Sequence, residues 1–495
     1  MELTDEQQAI SDYIPEFLSS TLKALGMKAF AGCGKSSILK YIAKKYPDIR
    51  IQGLAFNASI VAENKRSFPR KNCNWSSVHK FAKDNLLTQN IQFDLSKTIN
   101  NFKAVELFDI LGIKDSGNYA LANSINEVMK VYCQSSLPKI TPELIQKAGR
   151  AQLNHKIVSI PDGLLEQACE YTRNLWDIHE KGVIPPTFDF YLKYFEVNQY
   201  AREIKKFDLL ELDEAQDSNA VTLSIATQMP TKNLYTGDNH QSIYAFRGTL
   251  DAMRYADKLF YLSTTFRYVP SIAKLANNIL KTYKGETVPI RSLVEDKSVA
   301  GGTTAYLARN NSSMIGLIDE LIKANIYFKT VKKPEELFGL AISLLEFRTK
   351  NEISNPDYFY LKSHFSDIDE IEEYYKESND AELKTAFGIQ RRFGKRLYTI
   401  LRDAKNNMQS KEKAKYILAT AHTSKGLEWD HVELIDDFPD IQRKLNDAKI
   451  KNSRDLIDRA NMNERIAAEI VQEINLYYVA VTRAKYSVGT KVMKK

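Results

Sequence analysis

The sequence predicts an α/β protein built on parallel sheets, each carrying a largely helical insertion, and three observations support that prediction. A short apolar strand, Met27 to Phe30, enters the glycine turn Ala31-Gly32-Cys33-Gly34 and leaves it in a helix opening at Lys35. A later apolar run, Phe207 to Leu212, ends in two adjacent carboxylates, Asp213-Glu214. Strand, crossover helix and strand recur in both halves of the chain, whereas 83–206 and 335–410 keep helical spacing with few strand signals.

Taken in order, each element has a local reason. Thr4 precedes a helix with Gln7 at its third position, a capping-box arrangement, and Ile10, Ile14, Phe17 and Leu18 give that helix an apolar face. After the glycine turn, Ile38, Leu39, Tyr41 and Ile42 mark the buried side of the next helix. Ile49 to Phe56 reads as a strand, Ile60 to Arg66 as a helix, and Trp75 to Phe81 as a strand-end segment. Asn233 to Thr236 is a further strand. Beyond Leu262 a second α/β region opens with Ser263-Thr264-Thr265-Phe266-Arg267 and a helix through Ile272, Leu275 and Ile279. Its strands are Thr304–Ala308, Tyr416–Ala421 and His431–Ile435, and its last helix runs from Glu464 to Arg483. The stretch Pro439 to Arg465, rich in Lys, Asp and Asn, reads as a solvated charged helix pair.

Composition narrows the function classes. With 43% hydrophobic and 26% charged residues, the 495-residue chain reads as globular, with length for roughly three or four domains. Lys+Arg 69 against Asp+Glu 62 gives +7, which permits a polyanionic partner without demanding one. The four cysteines, Cys33, Cys73, Cys133 and Cys169, have no CxxC or Cys/His spacing and read as reduced thiols. No signal peptide is expected at the N-terminus, and charges break every apolar stretch before membrane-spanning length. The expectation is a soluble intracellular protein, cytoplasmic or nuclear, with no membrane partner.

The glycine turn has the chemistry of a phosphate cradle. Gly32 and Gly34 let successive N–H groups point into one concavity, so that Ala31, Gly32, Cys33, Gly34, Lys35, Ser36 and Ser37 would surround the phosphates of a nucleotide at a helix N-terminus. Lys35 would reach the terminal phosphates and the Ser36 hydroxyl would ligate Mg²⁺. Ala29 stands where the general pattern has glycine, and an ordinary helix-capping turn is the alternative. In a phosphate-loop enzyme Asp213 would hold Mg²⁺ and Glu214 would polarise the attacking water; an acidic turn after a buried strand is the alternative here.

Nine segments occur in a fixed order: Leu3–Gln7, Phe30–Ser37, Leu54–Asn57, Ser77–Phe81, Leu212–Asp217, Gly237–Gly248, Thr265–Arg267, Thr420–Asp430 and Asn475–Lys485. Together they resemble the motif series of superfamily 1 helicases of the UvrD/Rep type, and in local wording the F-box DNA helicase branch. The resemblance implies two RecA-like motor domains with parallel sheets, at 1–82 with 207–262 and at 263–334 with 411–495. The helical insertions would be 83–206 and a reduced 335–410. No F-box-like extension is expected at either end.

The same resemblance implies that ATP binds with Mg²⁺ between the two motors. Gln7 would read adenine, Phe266 would stack on it, and Gly426 and Glu428 would lie at the nucleotide, with Glu428 on the ribose. Gln241 would sense the γ-phosphate, while Arg267 and Arg483 would stabilise its developing charge. Phe56, Asn57, His79, Tyr244, Phe246 and Arg247 would contact DNA, the rings by stacking on bases. Phe56, Tyr244 and Phe246 could instead fill a gap between domains, and His79 and His422 could be hydrogen-bonded cleft histidines. The implied activity is ATP-dependent 3′→5′ movement along single-stranded DNA with unwinding of 3′-tailed duplexes, in repair, recombination or replication. Two rivals remain: a translocase that strips recombinase or replication proteins without separating strands, and a nucleotide-dependent DNA-binding switch.

Overall fold

The computed structural model describes residues 2–55, 58–103, 105–114, 119–152, 154–244, 248–296, 301–378, 380–409, 414 and 416–491. Two compact units divide the chain. The first comprises Met1–Arg267, Leu280–Leu293 and Ile450–Asn475; the second comprises Tyr268–Ile279, Val294–Lys449 and Leu476–Lys495. Residues 263–267, 280–293 and 450–475, which the sequence groups with the second α/β region, therefore pack in the first unit.

In the first unit, β1 (Ala24–Ala29), β2 (Ile51–Ala55), β3 (Cys73–Ser77), β4 (Leu209–Asp213), β5 (Lys232–Gly237) and β6 (Lys258–Leu262) form a parallel sheet in the order β3-β2-β4-β5-β1-β6. Helices cover parallel sheets on both faces, so β2 and β4 are buried along their whole length and read as apolar runs. Because every strand points the same way, the exits of β1, β4 and β5 reach one edge of the sheet. Asp213 is in register with Thr236, and Lys28 with Gly237.

The helix α1 (Asp5–Ser19) has the expected capping box, and α2 (Lys35–Lys45) opens where the sequence places it. α3 (Ala58–Ser67) follows β2. The segment read as a strand end, Trp75 to Phe81, is instead the end of β3 followed by α4 (Val78–Leu86). The Ser77 hydroxyl accepts the Lys80 N–H at 3.1 Å, and Val78, Phe81, Ala82 and Leu86 supply the buried helical stripe. β6, which the sequence analysis does not assign, is an edge strand: its apolar run Leu259 to Leu262 is short, and Leu259 and Tyr261 are exposed.

The insertion is helical, as expected, with its longest helices at Tyr119–Gln134 and Asp162–Glu180 around Ile125, Val128, Ala168 and Leu175. A buried ion pair anchors the helix Phe188–Val197: Lys193 donates to Glu196 at 2.6 Å and to the Ser135 carbonyl at 2.8 Å. The other Glu196 oxygen accepts from Ser224 at 2.6 Å. Each charge is thus satisfied by groups on separate segments.

Within the first sheet, Trp75, Gly53 and Glu211 share one rung across β3, β2 and β4. A Cβ on Gly53 would stand 2.3, 2.4 and 2.5 Å from three Trp75 ring atoms. The ring is buried and packs against Phe68 at a centroid distance of 4.8 Å, so it has no room to withdraw.

After the short parallel pair β7 (Thr264–Thr265) and β8 (Arg291–Ser292), which belongs to the first unit, come the strands of the second. These are β9 (Thr304–Ala308), β10 (Phe328–Thr330), β11 (Tyr416–Thr420), β12 (Trp429–Ile435) and β13 (Ala484–Lys491), ordered β10-β11-β9-β12-β13 and all parallel. The two edge strands, β10 and β13, were not read from the sequence. Helices dominate 335–410, as expected, led by Pro334–Lys350, Ala381–Phe393 and Arg396–Gln409. The expected pair between 439 and 465 is present at Ile441–Asp447 and Ser453–Asn461, although Leu456 is fully buried. Among the described residues no helix is long and apolar enough to cross a membrane.

Substituting Gly53→Ala forces the Trp75 ring out of its packing, and overpacking of this kind costs about 1–3 kcal/mol. Urea unfolding should show a lower midpoint with an unchanged slope; an unchanged midpoint would show that the rung has slack.

Candidate nucleotide site and DNA-facing residues

The turn after β1 takes its shape from two glycines. Gly32 and Gly34 have φ of 73° and 76°, the left-handed region that residues with a Cβ enter only at a cost. Gly34 occupies the N-cap of α2 and offers no side chain, so the first N–H groups of that helix face outward for an anion. Lys35, Ser36 and Ser37 are the first three helical residues and are half-buried. Cys33 is buried beneath the turn, and its thiol is pushed well above the ordinary range by burial and then by Asp238 and Glu6. It is an inert packing group, not a nucleophile.

Thr265, Phe266 and Arg267 lie directly on this turn. The Thr265 hydroxyl donates to the Ala31 carbonyl at 3.1 Å, and the Phe266 N–H donates to the Gly32 carbonyl at 3.0 Å. A Cβ on Gly32 would meet Arg267 Cβ at 2.5 Å and Thr265 Oγ1 at 2.7 Å. α1 arrives from the other side. The Glu6 carboxylate accepts the N–H and hydroxyl of Ser263 at 2.8 and 2.6 Å, which sets Gln7 beside the turn.

The capping box fixes the Gln7 amide: its Oε1 accepts the Thr4 N–H and its own N–H donates to Thr4 Oγ1, both at 3.2 Å. That leaves Nε2 buried with no hydrogen-bond partner among the described residues. Nε2 lies 2.8 Å from where a Gly34 Cβ would stand, and the half-exposed Phe266 ring lies 3.4 Å from the same point. An orphan donor, an exposed ring and a gap that only glycine leaves open suit a planar base carrying hydrogen-bond acceptors.

Beyond β4, Asp213 is buried and Glu214 has φ 52°. A non-glycine residue in that region stores on the order of 1–3 kcal/mol. Contacts on the carboxylate and the N–H hold the strain. Lys35 Nζ donates to Glu214 Oε1 at 2.6 Å, Gln216 Nε2 donates to Glu214 Oε2 at 2.5 Å, and the Glu214 N–H donates to Asp213 Oδ1 at 2.9 Å. Burial opposes the Lys35 charge, but Glu214 and Asp213 outweigh it and hold the ammonium above its ordinary value. Burial, then the Glu214 charge, pushes Asp213 up to about 6.

The chain of contacts continues past the carboxylates. Gln216 Oε1 accepts the Asp238 N–H at 3.0 Å, and Asp238 Oδ2 accepts from Gln241 Nε2 at 2.7 Å. Gln216 and Asp238 thus join Lys35, Glu214 and Gln241 into one polar line along the sheet edge. Sequence reasoning assigned neither of them a role, although both stand within quoted motifs. An amide that bridges two loops carries no charge to advertise it.

Among the described residues no three His, Cys, Asp or Glu side chains group closely enough to hold a metal alone. Ser36 and Asp213 are oxygen donors of the kind Mg²⁺ takes together with phosphate oxygens, so the residues present fit that ion as a companion of a nucleotide.

The remaining predicted residues are distributed as follows. Gly426 (φ 86°), Glu428 and Arg483 belong to the second unit. Glu428 pairs with Lys485 at 3.1 Å, and Arg483 is buried, donating to the Val479 and Leu427 carbonyls at 2.9 and 3.2 Å. His79 is half-buried, 3.8 Å from Asp189 and edge-on to Phe188 and Tyr191. Tyr244 is half-buried, three residues beyond Gln241. Phe56, Asn57, Phe246 and Arg247 lie outside the described residues.

Comparison with known proteins gives concordant matches. Residues 27–253 match the UvrD/REP helicase N-terminal domain and 336–488 match the UvrD-like helicase C-terminal domain. The chain is 27% identical over 529 residues to F-box DNA helicase protein 1 of Schizosaccharomyces pombe, covering 98% of this chain and 56% of that protein. It is 25% identical over 513 residues to F-box DNA helicase 1 of Gallus gallus, covering 98% of this chain and 48% of that protein. The chain thus spans about half the length of the curated relatives it matches.

Gly34→Ala tests the cradle. The left-handed φ costs a residue with a Cβ roughly 1–2 kcal/mol, and that Cβ would press on the Gln7 amide. Titration with a fluorescent ATP analogue should show affinity weakened by about tenfold or more while thermal unfolding stays cooperative. Unaltered affinity would place the nucleotide elsewhere.

Proposed function

The chain belongs to the UvrD-like helicases, and on that premise we propose that it is an ATP-driven DNA helicase that moves 3′→5′ along single-stranded DNA and separates duplex strands. The observation that carries this reading is the convergence, on the turn after β1, of Gln7 Nε2, which has no hydrogen-bond partner among the described residues, the Phe266 ring and the Lys35–Glu214 pair.

ATP is the substrate. Gln7 Nε2 donates to an acceptor on adenine, Phe266 stacks on the base, and the N–H groups of Gly32 to Ser37 receive the phosphates. Mg²⁺, held by Ser36 and Asp213 with phosphate oxygens, would neutralise phosphate charge. A terminal phosphate competes with Glu214 for the Lys35 ammonium. As Lys35 turns to the phosphate, Glu214 loses its hydrogen bond from that ammonium. Gln216 still holds its other oxygen, so the freed carboxylate is oriented to accept a proton from the attacking water. Arg267 stabilises the charge that develops on the phosphoryl group, Gln241 senses it, and Tyr244 stacks on a base of the strand. Arg483, Gly426 and Glu428 take the nucleotide roles that the family resemblance gives them, and Phe56, Asn57, His79, Phe246 and Arg247 the DNA contacts. DNA as substrate puts the protein inside the cell, in keeping with four free cysteines.

Lys35→Ala and Glu214→Gln should both abolish ATP turnover but differ in binding. Loss of Lys35 removes a charge from the terminal phosphates and weakens affinity, whereas Glu214→Gln retains ATP, because that residue acts on water. Phosphate-release assays paired with nucleotide titration check this. Wild-type hydrolysis in Glu214→Gln would defeat the assignment.

The direction rests on the resemblance to helicases of the UvrD/Rep type, whose members move 3′→5′, with stacked bases as the grip on the strand. A short duplex with a 3′ single-stranded tail should be unwound with ATP, and the same duplex with a 5′ tail should not. Preference for the 5′ tail would overturn the polarity. Single-strand-stimulated ATPase with no displacement from either substrate would leave a translocase that moves without unwinding.

A further inference from the structure

The turn Lys284-Gly285-Glu286, which follows a π-turn at Leu280–Lys284, lies against the loop after β5 and has no part in the mechanism above. Both line a cavity of about 340 Å³, together with Lys28, Gln216 and Asn475 among others. Glu286 is fully engaged. Its Oε2 accepts from Lys28 Nζ at 2.8 Å and meets His240 Nε2 at 3.0 Å, and its Oε1 accepts the N–H groups of Thr287 and Val288 at 3.0 and 3.1 Å. Burial keeps His240 below its ordinary value, and because the Glu286 carboxylate can only accept, His240 Nε2 is the donor in this contact. That ring also stacks on Phe30, the last residue before the phosphate turn, at 5.9 Å and 5°.

The other end of the turn grips the same loop. Lys284 Nζ donates to Asn475 Oδ1 at 3.0 Å, and Asn475 Nδ2 donates to the Ser242 carbonyl at 2.8 Å. Burial pulls the Lys284 ammonium down to about 8 against the attraction of Asp238. Gln241 therefore sits between two tethered neighbours, His240 held by Glu286 and Ser242 held through Asn475 by Lys284. Its own side chain points to Asp238, in line with Gln216 and Glu214.

We propose that Lys284 and Glu286 are positioning residues for Gln241: one turn fixes the backbone on both sides of it and thereby sets its amide for ATP turnover. The inference rests on the proposed ATPase reading and deepens it. Neither residue belongs to the phosphate turn or to the groups assigned to ATP, so their loss should act on turnover more than on binding.

The test is a double-mutant cycle in the full chain, reading kcat and KM for ATP with single-stranded DNA and Kd for a fluorescent ATP analogue. Glu286→Gln should lower kcat by about tenfold while Kd and KM stay within about threefold. Lys284→Met should do likewise, and Lys284→Arg should recover most of the rate. The double variant Glu286→Gln with Gln241→Ala should be no slower than Gln241→Ala alone, because both act through one group. Multiplicative losses in the double variant, or a Kd that weakens in step with kcat, would overturn the proposal. If Glu286→Gln does not fold, Asn475→Ala runs the same cycle from the other tether. A wild-type protein without DNA-stimulated ATPase would defeat the functional reading itself, and this inference with it.

Discussion

The ion pair between Lys35 and Glu214 joins residues 179 positions apart at 2.6 Å, and the rest of the first unit is arranged so that this contact can exist. Buried charges tolerate one another only when geometry and further hydrogen bonds compensate for lost hydration. Lys35 is at the first turn of α2, where a cation opposes the helix dipole, so it depends on the carboxylates opposite. Glu214 holds a left-handed backbone that no helix or strand would impose. The pair is therefore under tension from both partners, and in the proposed reaction an arriving phosphate would exchange one anion for another at the same ammonium instead of paying for a new desolvation.

That exchange is useful only if the released carboxylate does not wander. Gln216 prevents it, and Gln216 is itself fixed because its other amide atom accepts the Asp238 N–H. Glycine at 237 is part of the same constraint: a Cβ there would stand 2.1 Å from Gln216 Oε1. Parallel strand order is what brings these loops together, since β1, β4 and β5 all end at one edge of the sheet. The apolar interior beneath them contributes rigidity, and the edge contributes chemistry.

The parts legible in the sequence were those where one residue type has one physical reason. Glycines at 32 and 34, Lys35 at a helix start, paired carboxylates after an apolar run, and Thr4 three residues before Gln7 each declare themselves locally. Both sheets, both helical insertions and the ends of most central elements follow from such signals. The edge strands β6, β10 and β13 did not: β10 and β13 lack an apolar run, and the run Leu259 to Leu262 of β6 is short and partly exposed, without a turn residue or charge pair to mark its role. α4 was hidden because Trp75 and Val78 favour a strand while the helical stripe begins only at Val78. Gln216 and Glu286 could not be assigned roles, since a bridging amide and a buried carboxylate matter only through partners that are distant in sequence.

The same reasoning explains why compactness cuts the chain where it does. Three short pieces from the later part of the sequence pack in the first unit, and each is tied to the phosphate turn or to the loop after β5. Thr265 and Phe266 bind the carbonyls of Ala31 and Gly32, Lys284 and Glu286 hold Asn475, Lys28 and His240, and Asn475 holds Ser242. None of these pieces adds a strand to the six-stranded sheet. They are held by directional polar contacts to loops, which are worth little where exposed and more where water is excluded. A boundary drawn from strand and helix order alone therefore falls at Leu262, after the last strand of the first sheet. The boundary that the interactions draw follows the loops after β1 and β5, and it gathers around them the residues that fix their shape.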